Sequence, residues 1–304
     1  MEAIVFKVAS SDKIHTLAGK VIVPTGEVKG IFHIVHGMTE HIGRYLPFMS
    51  FLAENGYIAC GYDNLGHGDT AKEGEHGFIA EKDGHELLAM DVKAFSDAVR
   101  AEYGEELPYI LMGHSMGSFI VRYAASKYVK PDKLIIMGTG GKNPAAGAGL
   151  AVIGAVKLFK GEKHVSPFVY GLAFGGYNKR FPEVSETDPS PWLTTDKSIR
   201  ERYYADKYCT FKFTVSAMGD LIRLLKMTNG AGWYKSIDKA LPILLVSGEE
   251  DPVGNYGKGV TEVAEKLKKQ GVDAKCILYK GARHEILNDF VREDVMKDIL
   301  EFIK

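Results

Sequence analysis

A serine flanked by glycines, Gly113-His114-Ser115-Met116-Gly117, follows the apolar run Tyr109-Ile110-Leu111-Met112 and precedes Ser118-Phe119-Ile120-Val121. The pattern predicts a strand, a sharp turn and a helix, with Ser115 at the apex of the turn. A serine held in a strained turn needs neighbours without a Cβ, because side chains there would crowd the backbone. A Gly-rich turn before any helix reads the same way in isolation. The partners such a serine uses must therefore be found elsewhere in the chain, as an acid and then a histidine downstream.

Of ten histidines, His284 alone lies beyond residue 164. It sits in the loop segment Gly281-Ala282-Arg283-His284-Glu285, after the strand-like run 274–279 and ahead of a helical pattern from about Leu287. For the acid, Pro242-Ile243-Leu244-Leu245-Val246-Ser247 reads as a strand buried on both faces, ending in Gly248-Glu249-Glu250-Asp251-Pro252. Asp251 is preferred, with Glu250 as runner-up, because Asp-Pro favours a turn just past the strand end and the shorter carboxylate is held with less freedom. Ser115, His284 and Asp251 would then serve as nucleophile, general base and orienting acid, working through an acyl-enzyme.

An oxyanion formed by that attack needs two backbone N–H donors. Met116, the residue after the nucleophile, supplies one, and Met38, in the loop His36-Gly37-Met38 after the strand-like run 30–35, the other. A metal site built from His36, Glu40, His41 and His67 is the weaker account, since no H-E-x-x-H spacing is present. No metal and no cofactor are expected.

With these residues in place, the chain resembles the monoacylglycerol lipase and lysophospholipase branch of the α/β-hydrolases. The anchors are His36 to Tyr45, Tyr62 to Thr70, Gly113 to Gly117, Asp251-Pro252-Val253 and Arg283-His284-Glu285, in order and over nearly the whole chain. Trp192-Leu193-Thr194 and Ala205 to Cys209 look like the bacterial members. The resemblance supports Ser115, Asp251 and His284, with Met38 and Met116 as oxyanion hole. It further implies that Glu40, Arg44 and His114 line the pole that accepts a glycerol-like alcohol. The plainer role for those three is an ion pair and buried hydrogen bonds holding the loop. Two positions depart from the pattern: Thr39, where glycine or alanine is usual, and Ser118, where a further glycine is common. The first would narrow the space beside the oxyanion hole.

The fold implied is an α/β-hydrolase with a mostly parallel eight-stranded sheet flanked by helices. Strand-like segments at 3–9, 15–23, 30–35, 57–62, 109–113, 133–138, 242–247 and 274–279 agree, the first two as an antiparallel hairpin. Apolar faces mark helices near 44–55 and 84–103. Regular alternation breaks between about 140 and 235, so the chain is expected to divide into core residues 1–140, a helical cap at 141–235 and core residues 236–304. The small apolar run 143–156 reads as a cap wall facing an acyl chain or as a helix packed on the core, and is too short to span a bilayer, which takes ~20 residues.

A formal net charge of −1 gives no reason to expect nucleic acid as a partner. Cys60, Cys209 and Cys276 are too few and too scattered for a disulfide framework, and the start of the chain lacks a secretory pattern. A cytoplasmic protein without a stable membrane anchor is expected, in transient lipid contact through the cap. The expected reaction is cofactor-free hydrolysis of a lipid ester, a monoacylglycerol or lysophospholipid. A serine aminopeptidase or acyl thioesterase would use the same triad, the peptidase recognising an ammonium through Glu162, Glu183, Glu186 or Asp188. A non-catalytic small-molecule receptor on this fold is the third reading.

Overall fold

The computed structural model describes residues 2–304. Eight strands form one sheet: β1 Ile4–Ala9, β2 Thr16–Ile22, β3 Gly30–Val35, β4 Tyr57–Tyr62, β5 Tyr109–His114, β6 Lys133–Met137, β7 Ile243–Gly248 and β8 Ala274–Tyr279. Their order is β1-β2-β4-β3-β5-β6-β7-β8, with β2 antiparallel to both neighbours and all other pairs parallel. Strands β3, β4, β5 and β7 are buried along their whole length, as continuous apolar runs in a parallel sheet must be when helices cover both faces.

Ten α-helices accompany the sheet among the described residues: α1 Leu46–Glu54, α2 Gly84–Tyr103, α3 Met116–Lys127, α4 Ala146–Lys160, α5 Pro167–Phe174, α6 Lys197–Ala205, α7 Val215–Thr228, α8 Ala231–Ser236, α9 Lys258–Lys269 and α10 Arg292–Ile303. Alternate residues along a strand feed two cores. Ile31, Val35 and Leu111 pack with side chains of α2, α3 and α9, while Phe32, Ile34 and Met112 pack with those of α1 and α10. Helices α4 to α8 all follow β6 and precede β7, and α7 carries Val215, Ala217, Met218 and Leu224 into the same core as α2 and α3.

The expected strands are present with ends within a residue, and β1 and β2 form the antiparallel hairpin. The last helix differs, beginning at Arg292 after a short 3-10 turn at Ile286–Asn288. Asp289 explains the delay: its carboxylate accepts from the backbone N–H groups of Arg283, Thr195 and Phe290, a use that competes with helix formation. No helix among the described residues is long and apolar enough to cross a membrane.

Topology also decides where a site can form. The chain runs outward from β3 to β4 on one side and to β5 on the other, so the loops leaving the C-terminal ends of β3 and β5 open a crevice at the reversal. Because Val35 pairs with Gly113, the residues that follow them, His36 to Glu40 and Ser115, emerge side by side.

Candidate active site

Ser115 occupies the turn between β5 and α3 with φ 52° and ψ −117°, a left-handed conformation that a non-glycine residue adopts only when its surroundings impose it. Those surroundings are visible. Its N–H donates to Met137 O at 2.9 Å, and its carbonyl accepts from the Ser118 hydroxyl at 2.6 Å. A Cβ on Gly113 would lie 2.2 Å from Gly117 O, and one on Gly117 would lie 2.1 Å from Val35 O, so both glycines are required by close backbone approach. Ser118, flagged as a departure, thus braces the turn, sharing a further hydrogen bond of 2.8 Å with Thr139 Oγ1.

His284 and Asp251 meet at the ends of β8 and β7. His284 Nδ1 donates to Asp251 Oδ2 at 2.8 Å, and Asp251 is fully buried, its Oδ1 accepting from Val253 N–H at 2.8 Å. Glu249 turns to solvent and Glu250 faces Arg180 at 3.9 Å, so Asp251 is the acid that meets the histidine. With Nδ1 engaged, Nε2 is the histidine nitrogen left for a reacting group, and both His284 and Ser115 line one cavity.

The Met38 amide is aimed by its neighbours. His36 Nδ1 donates to Gly37 O at 2.8 Å, and since carbonyl and N–H of a trans peptide point in opposite directions, the Met38 N–H is turned the other way. His36 is buried, and burial holds its ring neutral, so that Nε2 accepts from Asn64 N–H at 2.9 Å. His67, pushed down to about 3 by burial, donates through Nδ1 to Leu65 O and accepts through Nε2 from Thr39 N–H at 3.3 Å. Every nitrogen of the two rings is engaged, leaving no lone pair for a metal. His41 stands apart from them, bonded through Nε2 to Asp206 at 2.9 Å. Its donor atoms, with those of Asp206 and Cys209, lie within 4.8 Å of one another, but the His41–Asp206 bond accounts for that grouping.

The cavity above Ser115 measures about 1120 Å³ and is lined by Met38 and Met116, then by Val152 and Ile153 of α4, Val169 of α5 and Leu225 of α7. Ligand pockets commonly span ~300–1,000 Å³, so this one has room for a long apolar group. Within the small apolar run, Val152 and Ile153 line the cavity and Ile153 also packs into the core, while Leu158 and Phe159, beyond the run at the end of α4, are about 80% exposed.

Residues 26–290 match the model of a family described as serine aminopeptidase, S33. The chain belongs to this α/β-hydrolase family. The hydrolase is 31% identical to the monoglyceride lipase of Rattus norvegicus over 268 residues, 86% of this chain and 77% of that protein. It is 26% identical to phospholipase YtpA of Bacillus subtilis over 269 residues, 87% and 91% of the two chains. Among solved structures, a highly thermostable carboxyl esterase from Bacillus coagulans, crystallised with glycerol, superposes with a TM-score of 0.93 at 28% identity, covering 100% of this chain and 98% of the other.

Beside Ser115 the hydrolase buries a web of charge. Glu40 Oε1 accepts from Gly37 N–H (2.5 Å), Tyr45 OH (3.0 Å) and His114 Nδ1 (2.9 Å), and Oε2 from Arg44 Nη1 (3.1 Å). The Arg44 fork grips Glu285 at 2.8 and 2.6 Å. Burial alone would raise the Glu40 pKa, yet His114 and Arg44 hold it well below the usual carboxylate range, and Glu40 in turn keeps the proton on His114 to higher pH than an ordinary imidazole. Glu40 and His114 line the cavity, but Arg44 stands behind them, spent on the two glutamates. The sequence names Glu285 only as part of the anchor around His284 and assigns it no role. Trp192, which the sequence marks only by resemblance, packs beside the histidine: its ring centroid lies 5.2 Å from that of His284, and its carbonyl accepts the His284 N–H at 3.3 Å.

Proposed function

We propose that the protein is a serine carboxylester hydrolase that cleaves monoacylglycerols or lysophospholipids. One observation carries the reading: a strained serine and a histidine oriented by a buried aspartate line one large, mostly apolar cavity, with Met38 and Met116 lining it beside them. The Ser115 hydroxyl adds to the ester carbonyl as its proton passes to His284 Nε2, and the Met38 and Met116 N–H groups take the oxyanion. Collapse breaks the bond to the leaving alcohol, which takes the proton from His284 and leaves the acyl group on Ser115. Water, deprotonated by the same imidazole, then releases the acid and restores the serine. Asp251 stabilises the imidazolium in both halves.

The names of the relatives, a monoglyceride lipase, a phospholipase and a carboxyl esterase, support an ester as substrate. So does the apolar wall, to which the acyl chain is assigned. Glu40 and His114 lie on the alcohol side, with Arg44 holding Glu40 in place. Residues 141–235 are read as the cap, and the exposed Leu158, Phe159, Phe168 and Leu172 as its contact with lipid. An aminopeptidase would need free carboxylates for an ammonium. Glu183 is paired with Arg283 and Asp188 with Arg200, and neither they nor Glu162 and Glu186 line the cavity.

The test compares p-nitrophenyl esters from acetyl to palmitoyl, 1-monoacylglycerols, an aminoacyl anilide and an acyl thioester. Each buried methylene is worth about 0.8 kcal/mol, so kcat/KM should rise about fourfold per carbon until the cavity is filled. Faster turnover of the anilide than of any ester would replace this reading with the peptidase, and ligand binding without turnover of any substrate would replace it with the receptor.

A further inference from the structure

We propose that Tyr203 of α6 is a positioning residue for the oxyanion loop, its hydroxyl clamping Thr39 in the backbone conformation that presents the Met38 amide. The inference rests on the ester-hydrolase reading for its consequence in catalysis, though not for the clamp itself.

Thr39 has φ 53°, in the left-handed region that a β-branched residue avoids and a glycine enters freely. It directly follows Met38, so relaxation of Thr39 toward an ordinary conformation would drag the Met38 peptide with it. Something must hold it. From below, His67 Nε2 takes the Thr39 N–H, at a long 3.3 Å. From above, the Tyr203 hydroxyl donates to Thr39 O at 3.0 Å and accepts from Thr39 Oγ1 at 2.9 Å. Both hydrogen-bonding capacities of the phenol are thus spent on one residue, 164 positions away in sequence.

The clamp stands on a rigid base. Arg44, itself gripping Glu285, lies 5.0 Å over the Tyr203 ring. Helix α6 is capped by Asp196, which accepts from Ser198 N–H at 2.9 Å, and Arg200 bonds the buried Asp188 at 2.7 Å. One turn beyond Tyr203, Asp206 ties His41 of the same loop at 2.9 Å. The segment between β6 and β7 therefore grips the loop after β3 at two points, and the oxyanion donor is in place only while α6 is seated.

A double-mutant cycle of Tyr203→Phe and Thr39→Gly, with kcat and KM measured on a p-nitrophenyl ester, tests this. Tyr203→Phe in the native background should lower kcat about tenfold, a fraction of the ~100- to 1,000-fold seen when an oxyanion donor is lost outright. KM should stay within about twofold, because the ground-state ester does not use the hole fully. In the Thr39→Gly background the same change should cost less than about twofold, since glycine holds the positive φ unaided. Equal losses in both backgrounds, or an effect on KM alone, would overturn the proposal. Amide hydrogen exchange gives a readout independent of activity: Tyr203→Phe should speed exchange within 36–44 while the sheet exchanges at the native rate. Were the native enzyme to hydrolyse no ester, the ester reading would fail on its own, and unchanged exchange in 36–44 would still be needed to sink the clamp.

Discussion

Asp251→Asn is expected to lower kcat for ester hydrolysis by about 10,000-fold while KM and thermal stability change little. Asparagine is nearly isosteric, and its amide oxygen can keep the bond that Asp251 Oδ1 accepts from Val253 N–H. That choice points the NH2 group at His284 Nδ1, where a donor now faces a donor. The imidazole escapes by moving its proton to Nε2, so the nitrogen facing the cavity no longer accepts a proton from Ser115. The imidazolium also loses its buried counter-charge. Steady-state kinetics beside a thermal melt separate this from unfolding, and a loss below about tenfold in a folded variant would remove Asp251 from the mechanism.

Gly117→Ala should be severely damaging for a single added methyl group. The added Cβ would sit 2.1 Å from Val35 O and 2.6 Å from His36 O, both backbone atoms at the end of β3. Neither can swing aside as a side chain would, so α3 must lift off the strand that carries the loop His36 to Glu40. A cost of about 3 kcal/mol or more is expected, at the upper end for overpacking, together with loss of activity in whatever fraction folds. Gly154→Ala supplies the contrast. A Cβ there meets nothing within 4 Å, and in the interior of α4 alanine should be neutral or stabilise by roughly 0.5–1 kcal/mol. Urea titrations of both variants check the pair, and equal effects would refute the packing argument.

Much of this was readable from the chain because short-range signals carry it. Continuous apolar runs bounded by glycine and proline mark the strands, and the order serine, acid, histidine points to Ser115, His284 and the acids at 249–251, among which the Asp-Pro turn favours Asp251. The residues that went unread are those whose meaning lies in a distant partner. Glu285 stands in the sequence only beside His284, and the Arg44 that grips it lies 241 positions away. Thr39 is an unusual side chain for its loop, yet its strained φ and the Tyr203 hydroxyl that meets it exist only once α6 is seated against the loop after β3. Asp289 delayed α10 by spending its carboxylate on backbone N–H groups, a competition that helical periodicity cannot register. Local pattern thus points to the groups that the proposed reaction uses, and only tertiary structure discloses what holds them in place.

The claim that matters most is a covalent one: the acyl group must pass through Ser115. Rapid quenching of the enzyme in acid during turnover of a p-nitrophenyl ester, followed by intact-mass and peptide mass spectrometry, tests it directly. The account predicts a burst of nitrophenol and a mass increase equal to the acyl group, located on the peptide bearing Ser115 and missing in Ser115→Ala. Stoichiometric acylation of another residue, or undiminished turnover by Ser115→Ala, would contradict it.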